Sequence, residues 1–137
     1  MTIDEAQQEC RRWGLVASFP MSDGGFVRGS ADADTWSITV FVGEGPTSPL
    51  RRHIAYMLGH EAAHCLLGHQ ADNLTPEGAR QEQVAASCGL RYAHARGERL
   101  SVGRARWEGE LALGLEGPDA ARERCRIGRD VARALLA

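Results

Sequence analysis

An α+β fold, a small antiparallel sheet packed on a helical core, is what this 137-residue chain predicts, and three observations carry the prediction. A short amphipathic helix pattern opens the chain, two strand-like segments follow between residues 25 and 42, and beyond Pro49 the apolar residues keep helical spacing. With 43% hydrophobic and 25% charged residues, the chain can bury a core of its own, and its length predicts a single domain over residues 1–137.

The elements follow in order. Ile3, Ala6, Cys10 and Trp13 recur at offsets of three and four, a helix over residues 3–13 that Gly14 stops. A first short strand is expected around Gly25–Gly29, between the turn-forming clusters Asp23-Gly24-Gly25 and Ser30 to Asp34. The second, Trp36 to Val42, is β-branched and aromatic, with Trp36, Ile38, Val40 and Val42 on one face; as a sheet edge it would be open to an extended peptide. Ser48 and Pro49 form a helix-start signal, and Leu50 to Leu67 reads as one uninterrupted helix closed by Gly68. A polar loop from His69 to Leu74 leads to a second start signal, Thr75-Pro76, and a helix through Val84, Ala85, Cys88 and Tyr92 that ends by Gly97. The remainder, broken at Gly103, Gly114 and Gly117-Pro118, predicts two further helices, the last beginning at Asp119.

A net charge of −2 offers no global attraction to nucleic acid or to an anionic membrane. That net is an average: residues 1–90 hold 6 Arg and 11 acids, while residues 91–137 hold 10 Arg and 7 acids, so the parts carry −5 and +3. All sixteen basic residues are Arg, which excludes Schiff-base and P-loop lysine chemistry. No run of about 18 apolar residues is present, and the amino terminus has no basic segment followed by an apolar one, so a cytoplasmic location is expected. Cys10, Cys65, Cys88 and Cys125 form no Cys-x-x-Cys pair and read as buried thiols.

The pattern that carries chemistry is His60-Glu61-Ala62-Ala63-His64 within the long helix. At 3.6 residues per turn, His60 and His64 lie about 40° apart on successive turns and can face one ion. Glu61 falls about 60° from His64, close enough to act on a water as general base without being a ligand. A catalytic zinc takes three protein ligands and keeps one position open, so a third donor is needed. Glu82 is the first choice, because it lies in the next helix and a short connection would make the two helices antiparallel neighbours. Ala85 and Ala86 beside it would let the helices approach. Glu77 is second, since the helix dipole already accounts for a carboxylate there.

His53 and Tyr56 lie on the same stripe as His60. His53 would stand about 10 Å along the axis, too far to share the ion, which leaves a substrate contact. Tyr56 is a candidate for an oxyanion contact or for pocket packing. His69 falls nearly opposite His60 on an ideal helix and beyond Gly68, so it is not expected to be a ligand.

His60-Glu61-Ala62-Ala63-His64-Cys65-Leu66-Leu67-Gly68-His69, followed by Glu82-Gln83-Val84-Ala85, resembles the ImmA/IrrE-type metallopeptidases, small gluzincin-like zinc proteases common in bacteria and their mobile elements. The resemblance covers roughly Trp36 to Tyr92 and implies a minimal zincin-like metallopeptidase fold; the metal-site core is expected at about 36–97, and the charge division marks an Arg-rich helical part at 98–137. It implies one Zn²⁺ on His60, His64 and Glu82, with Glu61 as general base. It further implies a cytosolic protein substrate such as a helix-turn-helix repressor, while the net charge and the lack of a long apolar run argue against direct nucleic-acid and membrane binding. Another class of function open to the sequence is a regulatory interaction module, its metal site structural or silent and its Arg-rich end holding a partner protein.

Overall fold

The computed structural model describes residues 1–22, 28–43, 49–72, 75–100 and 117–137. Helix α1, Ile3–Trp13, starts at a capping box: the Thr2 hydroxyl accepts from the Glu5 amide at 3.1 Å, and the Glu5 carboxylate accepts from the Thr2 amide. Strands β1 (Val16–Ser18), β2 (Gly29–Asp32) and β3 (Ser37–Val40) form one sheet in the order β1-β3-β2.

The sheet is mixed, which corrects the antiparallel expectation. β2 and β3 form an antiparallel pair with Ala31 opposite Ile38, but β1 lies parallel to β3 with Ala17 opposite Ile38. Three residues are too few to show an alternation, so the sequence carried no sign of β1. The start of the expected strand at residues 25–27 lies outside the described residues, and β2 occupies Gly29–Asp32, where a turn was expected. The turn comes later. The Asp32 carboxylate accepts from the amides of Asp34 (2.9 Å) and Thr35 (3.3 Å), and Trp36 takes a φ of 53°, so β3 begins only at Ser37. Ile38 and Val40 alternate into the core as expected. Because β3 is flanked on both sides, it is not the edge that the sequence suggested; β2 is the outer strand on one side and β1 on the other.

The long helix is also divided. A 3-10 turn, Pro49–His53, precedes α2, Ile54–Leu66. Ser48, the expected cap, lies outside the described residues. The start of α2 is held from far along the chain: Glu98 accepts from the amides of Ala55 and Tyr56, both at 2.9 Å. A carboxylate there satisfies two amides of the first turn and opposes the helix dipole. Helix α3, Pro76–Ala95, begins as its sequence predicts, with the Thr75 hydroxyl accepting from the Gly78 amide at 3.0 Å.

α2 is packed between the sheet and α3, which is why its residues are apolar nearly all round. Tyr56 meets Gly89 while His64 meets Glu82, so α2 and α3 run antiparallel. Their closest approach needs two glycines as well as the expected alanines: a Cβ on Gly59 would stand 2.8 Å from the Cβ of Tyr92 and 3.2 Å from the Cα of Gly89. Helix α4, Pro118–Leu136, starts one residue before the expected Asp119 and covers the other side of α3. The other helix expected beyond residue 97 falls largely on residues 101–116, outside those described. One cluster of buried side chains runs from Ala6 on α1 through Val40, Leu58 and Cys88 to Leu135 on α4. Among the described residues, no helix is long and apolar enough to cross a membrane.

Candidate metal centre

His60 and His64 project from successive turns of α2, and Glu82 reaches them from α3. The two Nε2 atoms are 3.3 Å apart. Glu82 spans them, with Oε2 at 3.0 Å from His60 Nε2 and Oε1 at 3.0 Å from His64 Nε2. Burial alone would raise the pKa of Glu82, but hydrogen bonds and charge from His60 and His64 outweigh it and hold the carboxyl well below the ordinary range. The site opens to solvent on the Glu82 side: that side chain is 32% exposed, against 12% for each histidine.

These three residues are the group that the sequence selected, and their donor atoms lie together. The 3.3 Å between the two nitrogens is close to the separation of two ligands about 2.0–2.1 Å from a tetrahedral zinc, and each oxygen of Glu82 faces one of those nitrogens. Two imidazole nitrogens and one carboxylate also form a donor set typical of catalytic zinc sites. Glu77 stands apart, on the exposed first turn of α3, where it pairs with Arg80 at 3.3 Å.

Glu61 lies under the donors and is only 5% exposed. Burial raises its pKa against the opposing charges of His60 and His64. The carboxylate also explains a glycine on the sheet. A Cβ on Gly29 would stand 2.8 Å from Glu61 Oε1 and 3.0 Å from both Met57 Cε and the carbonyl oxygen of Thr39. The absence of a side chain at the start of β2 therefore makes room for the carboxylate, a relation that no local pattern in the sequence could show.

Tyr56 packs behind the centre, its ring tilted against that of His60 with centroids 5.6 Å apart. At 1% exposure it forms part of the core wall and offers no face to a substrate as it stands, which weighs against the oxyanion contact. His53 occupies the N-cap position of α2, where the 3-10 turn ends, and is outside the donor group.

His69 differs most from its expected place. Gly68 takes a φ of +65°, and the chain closes in a Schellman motif, with the Gly68 amide bonded to the Cys65 carbonyl (3.1 Å) and the His69 amide to the His64 carbonyl (2.9 Å). This reversal sets His69 Nδ1 at 2.9 Å from His64 Nδ1. Burial and the charge of His64 push the pKa of His69 down to about 4. The helical wheel, which applies only to a continued helix, set His69 opposite; Gly68, read as the end of the helix, is the left-handed cap that turns the next residue back over the last turn.

Comparison of the chain with protein-family models, with curated proteins and with solved structures gives no match.

Proposed function

We propose that this chain is a zinc-dependent peptidase with a minimal zincin-like centre, in which His60, His64 and Glu82 hold the ion and Glu61 is the general base. The observation that carries the reading is the convergence of His60 Nε2, His64 Nε2 and the Glu82 carboxylate, whose two oxygens each lie 3.0 Å from one of the nitrogens, beside the buried carboxylate of Glu61, which is not one of the group. When bound, zinc supplies a Lewis acid that lowers the pKa of a water and polarises a peptide carbonyl.

The rest of the reaction falls to the chain. Glu61 takes a proton from the attacking water and passes it to the nitrogen of the leaving amine, so one carboxylate serves both halves of the hydrolysis. Its low exposure keeps bulk water from competing for that proton, and Gly29 leaves the space in which it stands. β2 is the outer strand on the Glu61 side, and an extended substrate adding to its edge would run past the carboxylate. A helix-turn-helix repressor as substrate, and membership among ImmA/IrrE-type enzymes, rest on the likeness of His60 to His69 and of Glu82 to Ala85.

Glu61→Gln tests the reading. The variant should bind zinc as the wild type does and lose at least about a hundredfold in cleavage of an unfolded protein, followed as new amino termini. Retained cleavage would remove Glu61 from the reaction. Stoichiometric zinc without any chelator-sensitive cleavage would favour the regulatory module, for which Arg91, Arg129 and Arg133 around an apolar cleft between α3 and α4 are the supporting feature.

A further inference from the structure

We infer that His69 is a positioning residue for the metal centre: it accepts the Nδ1 proton of His64 and so turns the bare Nε2 of that histidine toward the ion. The inference rests on the zinc reading above. A neutral imidazole carries one ring proton, so a histidine that binds a metal through Nε2 must hold its proton on Nδ1. Metal-binding histidines commonly give that proton to a carboxylate, a carbonyl or water, which orients the ring and raises its basicity. For His64 the group in place is the Nδ1 of His69 at 2.9 Å, a normal hydrogen-bond length.

Proton count then decides the state of both rings. His64 donates from Nδ1, His69 accepts at a bare Nδ1, and the proton of His69 must lie on Nε2. The backbone holds the pair in register, because the His69 amide is bonded to the carbonyl of His64 itself, at 2.9 Å. The rings meet edge to face, with centroids 5.1 Å apart and planes at 67°. A bond from residue 69 to residue 64 at both backbone and side chain ties the orientation of the ligand to the end of its helix. It also uses a neutral acceptor where a carboxylate would add negative charge beside Glu61 and Glu82.

The test uses the full chain and zinc, with affinity measured by competition against a chromophoric chelator. His69→Ala should weaken zinc binding about ten- to a hundredfold with unchanged circular dichroism. His69→Gln, whose amide oxygen accepts the same proton, should recover most of that loss. In the zinc-loaded wild type, nitrogen-15 NMR should find His69 protonated at Nε2 and bare at Nδ1. An Ala variant with wild-type affinity, a Gln variant as weak as Ala, or a His69 protonated at Nδ1 would each overturn the inference. The NMR result decides even if the variants fail to fold. A wild type that takes up no zinc overturns the zinc reading along with it, whereas wild-type uptake with no effect of His69→Ala overturns the role of His69 alone.

Discussion

Glu82 and Tyr92 stand ten residues apart on α3, and each anchors a polar cluster against a different neighbour. At Tyr92 the cluster centres on Glu9 of α1, only 7% exposed, which accepts from the Tyr92 hydroxyl (3.0 Å), Arg12 Nε (2.7 Å) and an Arg96 guanidinium nitrogen (3.1 Å). Donors and acceptor balance. Arg12 continues to the carbonyls of Leu135 and Ala137, and Trp13 donates to the same Leu135 carbonyl at 2.9 Å, so the cluster ties α1 to both α3 and α4. At Glu82 the partners can change: its carboxylate lies 3.0 Å from the Nε2 atoms of His60 and His64, which donate to it when they carry the ring protons and, when bare, face it as acceptors that a cation would join. A balanced buried cluster holds a fold together; a cluster whose members share protons can exchange those protons for a metal ion.

The sharpest way to break this contrast is to remove its two centres in turn. Glu82→Ala should lower zinc affinity by more than about a hundredfold, since even groups behind the ligands commonly contribute ten- to a hundredfold. Zinc at a hundred times its dissociation constant should stabilise the wild type by about 2.7 kcal/mol and the Glu82→Ala chain hardly at all, read from thermal unfolding with and without chelator. Equal gains in the two chains would refute the site. Glu9→Ala should do the reverse, costing about 2 kcal/mol of stability by removing the acceptor of the Tyr92 hydroxyl, of Arg12 Nε and of one Arg96 nitrogen, while zinc affinity stays at the wild-type value. A loss of zinc binding in that variant would show the two clusters to be coupled.

Two smaller effects sharpen the boundaries. Gly29→Ala should push the Glu61 carboxylate aside, lowering cleavage about tenfold and stability by about 1 kcal/mol with zinc affinity intact. If cleavage is unchanged, the space at Gly29 has no bearing on the base. The last concerns reactivity. Burial pushes the thiols of Cys10 and Cys88 up to about 12 and raises that of Cys65, so all three stay protonated at pH 8 and closed to iodoacetamide. Only Cys125, half-buried on α4, should be alkylated in the native chain, as mass spectrometry of its peptides would show.

Much of the candidate site was legible because it is written at helical spacing. His60, Glu61 and His64 lie on one helix, and their relative directions follow from the geometry of a single turn. Glu82 required a further step, that a short connection makes α2 and α3 neighbours, and the structure brings it to the two histidines while leaving Glu77 on the surface. His69, Gly29 and Glu98 were not legible. His69 depends on a chain reversal at one left-handed residue, Gly29 on a strand packing over a carboxylate 32 residues later, and Glu98 on the end of α3 returning to the start of α2.

The same division holds for the whole molecule. By itself the sequence determined where α1, α3 and α4 begin, within a residue, and which residues of α2 face one another, because caps, prolines and apolar spacing act over a few residues. Only the tertiary structure decided that β1 joins β3 in parallel, that β2 is the outer strand beside Glu61, and that α2 starts at Ile54 under the carboxylate of Glu98. In those places a backbone amide or a carboxylate takes its partner from a distant part of the chain. That choice is made by packing and hydrogen-bond satisfaction, which local periodicity does not record.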